Sequence, residues 1–442
     1  MQIQLSDHFG YGRLLRFTLP SMAMMVFTSV YGVVDGTFVS NFAGKTAYAA
    51  VNFIYPFLMI LGVVGFMFGA GGSALIAKTI GEHKRIKANR IFSMLVWVGI
   101  VLGIALATLG GFFLPQIAKL LGGSGQMAEV SVLYGRIILL SLPFFILQNM
   151  FQSLLVTAEK PRLALWVTVI AGVSNIVLDY VLIALLHMGI VGAAVATCAS
   201  EVVGGIIPLL YFLRPNDSLL RITPTRIYWG ALGKVCFNGL SEFVGSISAS
   251  LVSMCYNYQL LRFMGENGVA AYGTIMYVQF VFFGIFLGYT LGAAPVVSYN
   301  FGARRWDELR GVFRRSLVLV AIMGVVLTAI IELSAGWLTG LFTSYDPALH
   351  QLTWRAFMIY GTCYLLVGVN FYISSFFTAL NNGFLSALVS VMRSLVCEVS
   401  AVFLIPMAFG PDSIWLAAPA SELGAFLFAI LLLLSNRKRY HY

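Results

Sequence analysis

Charged side chains are scarce in this sequence. Asp, Glu, Lys and Arg make up 10% of the 442 residues, whereas soluble domains carry about 25%. Apolar residues reach 60%, which is more than the interior of a water-soluble fold can hide. The composition therefore excludes a soluble enzyme, a disordered chain and a nucleic-acid-binding domain, and it indicates an integral membrane protein.

Cysteine and catalytic motifs are also sparse. The five cysteines are odd in number and lack metal-ligand spacing, which excludes a disulfide framework and a zinc site. The sequence contains no GxxxxGK[ST] nucleotide loop, no HExxH motif and no Ser-His-Asp arrangement. We therefore expect neither an enzyme nor a bound cofactor. If the protein does work across the membrane, we expect an ion gradient rather than ATP to supply the energy.

Long apolar stretches fill the chain. Crossing a bilayer takes about 20 apolar residues, and hydropathy predicts twelve such helices, named spans 1 to 12. The predicted spans are 14–39, 47–77, 91–114, 131–158, 162–185, 190–212, 231–262, 268–299, 312–342, 350–380, 384–408 and 413–435. The fold class predicted is an all-α membrane protein.

Basic residues are distributed unevenly about these spans. Of the 27 Lys and Arg residues, 21 lie near the start of span 1, after the even-numbered spans or at the C-terminus, five lie on the other side, and Arg393 lies inside span 11. Because Lys and Arg concentrate in cytoplasmic loops, both termini are predicted to be cytoplasmic. We expect a multi-pass monomer of the inner (cytoplasmic) membrane, in contact with its lipids.

The sequence repeats itself after 221 residues without a gap. Ala-Ser-Glu at 199–201 returns at 420–422, and Gly12, Gly44, Gly81 and Gly189 meet Gly233, Gly265, Gly302 and Gly410. Because each unit holds an even number of spans, the two copies are related by an axis along the membrane normal. This predicts two six-helix lobes, 1–221 and 222–442, with a substrate path between them.

The residues of several segments resemble a known family. LPSMAMMVFTSVYGVVDGTFVS in span 1, GAGGSALIAKTIGEHKRIKAN after span 2 and GAAPVVSYNFGARRWDELR after span 8 are similar to the multidrug and toxic compound extrusion (MATE) transporters. The resemblance covers essentially the whole chain, including the two sets of six spans. It implies a secondary active exporter.

Ionisable residues inside spans are costly and invite a functional interpretation. Those of this sequence are Asp35, Asp179, Glu201, Glu242, Glu398, Glu422 and Arg393. Counted from the basic ends of their spans, Asp35 and Asp179 lie about 25–30 Å along the helix, at a similar depth. Asn175 precedes Asp179 by one turn, and Thr197 enters span 6 at the same level.

Two carboxylates, an amide and a hydroxyl suit a small hard cation or a shared proton. The MATE resemblance implies that Asp35, Asn175, Asp179 and Thr197 form the Na⁺ or H⁺ site of the first lobe, with a carbonyl near Ala193 completing it. The alternative is that Asn175 and Thr197 only bridge helices. The repeat images of the two aspartates are Tyr256 and Ser400, so only one lobe holds this site.

Other candidates concern the substrate cavity. The resemblance places Tyr134 and Asn149 along the first lobe, although they lie about 22 Å apart on one helix and cannot share an ion. Glu242 is either a second coupling carboxylate or a structural cap or ion pair. Arg393 either neutralises a nearby glutamate or contacts anionic substrate groups.

Two further expectations concern the remaining intramembrane charges. Glu398, five residues after Arg393, is expected on another face of an α-helix. Glu201 and Glu422 are expected to share an architectural role at the lobe ends.

These observations predict a cation-coupled antiporter that exports amphipathic, mostly cationic organic compounds by alternating access. Pro20 and Gly32 are the predicted hinge of span 1. The abundant Met and aromatic side chains suit flat organic cations. A lipid-linked saccharide flippase of the same superfamily remains the main alternative, followed by an ion channel or a structural membrane subunit.

Overall fold

The computed structural model describes residues 3–120, 125–343, 346–440 and 442, and within these it is helical without strands. The α-helices are Tyr11–Phe38, Lys45–Gly81, Arg85–Leu120, Gly125–Thr157, Pro161–Asp179, Gly189–Leu213, Trp229–Asn238, Leu240–Gly302, Trp306–Thr343, Pro347–Gly361, Tyr364–Ala379, Gly383–Val391, Val399–Phe409 and Ala417–Tyr440. Three π-helical turns, Val39–Ala43, Tyr180–Leu185 and Met392–Glu398, and a 3₁₀ turn, Pro411–Leu416, continue or join them.

These helices form the twelve predicted spans. Ten continuous helical segments are long and apolar enough to cross a bilayer, and one of them, 229–302, is 74 residues long. At 1.5 Å per residue a straight helix of that length would be about 110 Å long, and this one breaks at Gly265 (φ 64°) into spans 7 and 8. Span 10 is a bent pair, Pro347–Gly361 and Tyr364–Ala379, at 46°. The twelve-helix fold is confirmed.

The two copies of the repeat share unusual backbone conformations. Left-handed φ values are uncommon outside glycine, yet His83 (φ 61°) and Arg304 (φ 56°) both adopt one, 221 residues apart. The glycine pairs Gly44 and Gly265, and Gly189 and Gly410, do the same at that spacing. The loops that join the spans are therefore duplicated in conformation as well as in sequence.

The copies pack tightly against each other at the end of the bundle where both termini lie, named here the terminal end. A methyl group on Gly81 would collide with the carbonyl oxygen of Tyr299, and one on Gly302 with that of Lys78. Similar contacts join Gly71 of span 2 to span 7. Small residues let membrane helices approach this closely, so the terminal end of the interface is closed.

The N-terminal strap, residues 3–10, crosses this closed end. Its Leu5 N–H donates to Glu159 of the first copy (2.6 Å) and its Phe9 N–H donates to Glu308 of the second (2.7 Å). Arg305 donates to the Ser6 carbonyl. Leu5 and Phe9 are fully buried, so the strap ties the two halves together.

Candidate functional site

Two carboxylates from different spans meet inside the first half of the bundle. Asp179 of span 5 is fully buried, and its carboxyl group neighbours that of Asp35 in span 1. The Asn175 amide lies beside the Asp35 carboxyl group. Among the described residues, neither Asp179 oxygen nor Asp35 Oδ1 has a hydrogen-bond partner. Adjacent buried carboxylates repel unless a cation or a proton lies between them.

The predicted neighbours from span 6 lie at the same level. Ala193 packs against Val39 and Ile183 in one buried cluster, and these two residues follow Asp35 and Asp179 by one turn. Because span 6 runs in the opposite direction, Thr197, one turn after Ala193, returns to the depth of the carboxylates. Ion coordination by Thr197 and by the Ala193 carbonyl stays a prediction.

A π-helical turn follows each aspartate. Val39–Ala43 starts one turn after Asp35, and Tyr180–Leu185 starts immediately after Asp179. Such turns are rare and often occur at functional sites, because they reorient the helix around them. A hydropathy pattern contains no signal for them.

A third carboxylate, Glu201 of span 6, belongs to the same site. It is 9% exposed, accepts a hydrogen bond from Ser141 (2.5 Å) and interacts electrostatically with Asp35. The expected architectural role at a lobe end is therefore wrong for Glu201. In the sequence, the position of Glu201 inside a span indicates a functional role, whereas its match to Glu422 favours an architectural role common to both glutamates. Within the described chain, no Lys or Arg forms an ion pair with these three carboxylates.

The two cavity candidates on span 4 have different surroundings. Tyr134 is buried within electrostatic reach of Asp35 and Glu201. Asn149 donates to the Phe145 carbonyl (2.9 Å) and packs against Gly65 of span 2. Tyr134 thus belongs to the carboxylate site, whereas Asn149 lies in a helix-packing surface.

The second half has an ion pair at the repeat-equivalent place. Arg393 donates to Glu422 from Nη2 (2.7 Å) and Nε (2.8 Å), and the Asn370 amide donates to the other Glu422 oxygen (2.6 Å). The Arg393 guanidinium also lies 4.2 Å from the ring centroid of Phe371. Its charge is therefore compensated by a glutamate.

Within the described residues Arg393 forms its ion pair with Glu422 and none with Glu398. Arg393 and Glu398 both lie in the π-helical turn Met392–Glu398, and their opposite charges interact. A π turn bonds residue i to residue i+5 and so brings the fifth residue above the first, whereas an α-helix turns it away. Glu242 lies in the first turn after Gly239, and within the described residues it forms no ion pair with Arg393.

Span 1 is helical through both predicted hinge positions. Pro20 lies inside the helix Tyr11–Phe38, and a Cβ added to Gly32 would meet no atom within 4 Å. The break in this helix comes later, at Val39–Ala43. A hinge at Pro20 and Gly32 stays a prediction about a change of conformation.

No group of three or more His, Cys, Asp or Glu side chains suited to a metal occurs in the described ranges. The carboxylate pair offers two such ligands, and further ligands would have to come from amide, hydroxyl or carbonyl oxygens. That donor set suits a weakly held alkali cation or a proton better than a tightly bound transition metal.

The sequence profile of the MatE family matches residues 20–181 and 243–404, one match in each copy of the repeat. The chain belongs to the MatE family. Its sequence is similar over nearly full length to proteins named "Multidrug export protein MepA". The protein from Staphylococcus haemolyticus (strain JCSC1435) is 26% identical over 433 residues, which cover 96% of this chain and 94% of that protein. The protein from Staphylococcus aureus (strain MRSA252) is 25% identical, with 95% and 93% covered.

Solved transporter structures share the fold. A crystal structure of MATE in complex with MaL6 has a TM-score of 0.91 at 22% identity and covers 98% of both chains. A second structure is a MOP superfamily transporter from Pyrococcus furiosus, which is described as having a binding pocket of reverse polarity. It has a TM-score of 0.89 at 22% identity and covers 98% of this chain and 96% of that one. The resemblance to a MATE transporter, and to transporters rather than enzymes, is confirmed.

Proposed function

We propose that this MatE-family protein is a secondary active multidrug exporter that couples inward flow of Na⁺ or H⁺ to outward transport of amphipathic organic cations. The names of the MepA relatives support multidrug export. The observation that carries the coupling is the proximity of Asp35 to the buried Asp179, with Asp35 Oδ1 and both Asp179 oxygens buried and without hydrogen-bond partners among the described residues. A cation or proton supplies what this pair lacks.

The coupling ion binds in the first half only. Asp35 and Asp179 supply charge, Asn175 and Thr197 supply neutral oxygens, and the Ala193 carbonyl completes the set. Ion binding removes the repulsion between the carboxylates and changes the packing of span 1 against span 5. A cationic compound near the same carboxylates competes with the ion, which makes binding of one oppose binding of the other.

The lobes 1–221 and 222–442 are the moving units in this proposal. The excess of Lys and Arg at the terminal end supports an inner-membrane orientation with both termini cytoplasmic. In the conformation described, the interface is closed at that end, so the substrate path leads toward the opposite end. One chain provides both lobes, and we propose that a monomer surrounded by lipid suffices.

The flippase alternative is less well supported. A flippase would present uncompensated cations to phosphates deep within the membrane, but Arg393, which lies well inside span 11, is paired with Glu422 at 2.7 Å. The first half presents carboxylates, which would repel phosphates. A channel or a structural subunit is distinguished by experiment, because neither moves a compound against its gradient.

The decisive experiment uses purified protein in proteoliposomes with a fluorescent organic cation such as ethidium. Sodium and proton gradients are imposed separately, and export against the ethidium gradient is measured for the wild type, Asp35→Asn and Asp179→Asn. The control is Asp412→Asn, which removes an exposed carboxylate from a connection. We expect export under at least one gradient, its loss in both site variants and its retention in the control. Full gradient-driven export by both site variants would refute the proposal.

A further inference from the structure

A cavity at the terminal end lies between the two halves and away from the carboxylate site. It has a volume of about 420 Å³ and is lined by Leu75, Lys78, Lys234, Phe237, Asn238 and Asn381. Spans 2 and 7 form its walls. Asn238 donates to Asn381 (2.9 Å), and Asn381 donates across the halves to the Ala74 carbonyl (3.2 Å), so hydrogen bonds fix its amide-lined side.

Two lysines line this cavity, and Glu82, which interacts electrostatically with Lys78, is not among the lining residues. No carboxylate is among the lining residues, and neither Lys78 nor Lys234 forms a salt bridge to another described residue. Lys78 Nζ lies 5.3 Å from the centroid of the Phe301 ring, which does not neutralise it. Two like charges from different spans that border one cavity favour an anion between them.

The other copy of the repeat shows how such a groove is filled. Phe9 of the N-terminal strap is the repeat image of Gly230, and it is fully buried in the core that contains Val296, the image of Leu75. The lysine in the open groove, Lys234, corresponds to Arg13. Arg13 lies 3.8 Å from Asp7 of the strap. One groove is thus filled by an aromatic side chain with an acidic partner nearby, whereas the other is left open.

We propose that this open groove binds the phosphate group of an anionic phospholipid. Phosphate accepts charge-assisted hydrogen bonds from both lysines, and basic pockets between membrane helices bind acidic head groups. The side chain of Phe237 at the cavity is 50% exposed, and that of Trp229 at the start of span 7 is 74% exposed. Exposed aromatic residues at helix ends lie at the head-group level of the bilayer, which favours a lipid over a soluble anion.

The bound lipid would link the two halves. Lys78 belongs to span 2 and Lys234 to span 7, so one phosphate between them attracts both copies at once. The lipid is expected to stabilise the conformation in which the terminal end is closed. This inference does not depend on which ion drives transport.

Thermal unfolding of the purified full-length protein in detergent tests the site. Dioleoyl-phosphatidylglycerol is added in one arm, dioleoyl-phosphatidylcholine in a second and glycerol 3-phosphate in a third. We expect phosphatidylglycerol to raise the Tm by about 5 °C when present well above its Kd. The other two additions should have little effect. An equal rise with glycerol 3-phosphate would overturn the assignment to a lipid.

Two variants of cavity residues test whether the rise in Tm with phosphatidylglycerol arises at this cavity. Lys78→Gln/Lys234→Gln removes the charges, and Gly233→Phe fills the cavity from a lining position where an added Cβ meets no atom within 4 Å. Both should lose the phosphatidylglycerol-dependent rise. The matched control Lys87→Gln/Lys438→Gln removes two exposed lysines from the same end and should keep it. An undiminished rise in the cavity variants would refute the site.

Native mass spectrometry gives a second measurement that does not depend on unfolding. The wild type and the control should retain one phosphatidylglycerol more than Gly233→Phe does. Equal numbers of retained lipids in all three proteins would also refute the site, even if the variants differed in stability.

Discussion

Two glutamates at equivalent positions of the repeat, Glu201 and Glu422, have opposite surroundings. Glu422 is paired with Arg393 and with the Asn370 amide, whereas Glu201 accepts a hydrogen bond from Ser141 and faces other carboxylates. Duplication supplied the same residue twice. The two roles differ because Arg393 is present in the second half only, while the images of Asp35 and Asp179 there are Tyr256 and Ser400.

The ion pair predicts a non-additive pattern of stability. Arg393→Gln alone leaves Glu422 buried without its cation, which costs about 3–5 kcal/mol. Arg393→Gln/Glu422→Gln removes both charges and should recover most of that loss. Thermal unfolding in detergent of the two single variants and the double variant forms the cycle. A double variant that loses as much as the two single variants combined would contradict a compensated pair.

Glu201 predicts an effect on ion affinity rather than on stability. Glu201→Gln keeps an acceptor for Ser141 but removes a negative charge near Asp35. A lost attraction of about 1 kcal/mol would raise the half-saturating ion concentration for export about fivefold. The measurement is the ion dependence of ethidium export in proteoliposomes, with Ser141→Ala as a variant that keeps the charge. An unchanged half-saturating concentration in Glu201→Gln would mean that Glu201 does not act on the ion.

The sequence predicts the proximity of Asp35 and Asp179 because depth along a helix follows from counting residues. It does not predict the electrostatic interaction of Arg393 with Glu398, because a hydropathy pattern contains no signal for the π-helical turn that holds both residues. It also misses Glu201, whose partner Ser141 lies 60 residues away on another span. Distances along one helix follow from residue spacing in the sequence, whereas contacts between helices depend on how distant segments pack.

At the scale of elements, the N-terminal strap adds a pH dependence outside the membrane. Glu159 accepts the Leu5 N–H, and burial raises the pKa of its carboxyl group. The Leu5 hydrogen bond lowers this pKa and the negative charge of Asp7 raises it, while Arg85 and Lys160 oppose the rise. Because the folded protein holds the proton more tightly than the unfolded chain, protonated Glu159 stabilises the fold. That contribution is lost as the pH rises through the raised pKa.

Glu159→Gln tests this dependence, because glutamine stays neutral and can still accept the Leu5 N–H. The Tm of Glu159→Gln minus that of the wild type should increase as the pH is raised from about 4.5 to about 8. Thermal unfolding across this range provides the measurement, with the strap otherwise unchanged. A difference that shrinks with rising pH would show that the charged form is the one stabilised.

A substitution at Gly32 in span 1 tests whether this helix bends during transport. Gly32→Ala adds a methyl group where no atom lies within 4 Å, and alanine stabilises a helix interior by about 1 kcal/mol relative to glycine. If span 1 bends at Gly32 during transport, the variant should be slightly more stable and export more slowly. Thermal unfolding and initial efflux rates measure the two effects. Gly12→Ala, also in open space on span 1, is the control, and an undiminished rate in Gly32→Ala would remove Gly32 from the hinge.

At the scale of the whole molecule, the architecture is predictable because the bilayer dictates it. Apart from span 10, which is a bent pair of helices, each predicted span lies inside a continuous helical segment to within one residue at its ends, and the repeat fixes the relation of the halves. The N-terminal strap has no such signal, because Leu5 and Phe9 are two apolar residues in a short polar stretch. Their burial depends on partners more than 150 residues away, such as Glu159 and Glu308.

The tightly packed glycines at the terminal end hold the two halves together there. Substituting one of them should shift the equilibrium between conformations in which this end is closed and those in which it is open. A methyl group on Gly302 would collide with the Lys78 carbonyl oxygen, and backbone cannot move aside as a side chain can. Gly302→Ala should therefore disfavour the closed terminal end and populate conformations in which the two halves are separated there.

The separation can be measured directly by electron paramagnetic resonance between spin labels at positions 87 and 310, both on exposed helix starts of the terminal end, one in each half. In Gly302→Ala the distance distribution should shift to longer values, and gradient-driven export should fall. Gly12→Ala, whose methyl group enters open space at the same end, should keep the wild-type distribution. If Gly302→Ala keeps it too, tight packing at this crossing does not hold the terminal end closed. If the distances lengthen while export stays normal, closure of this end does not limit the transport cycle.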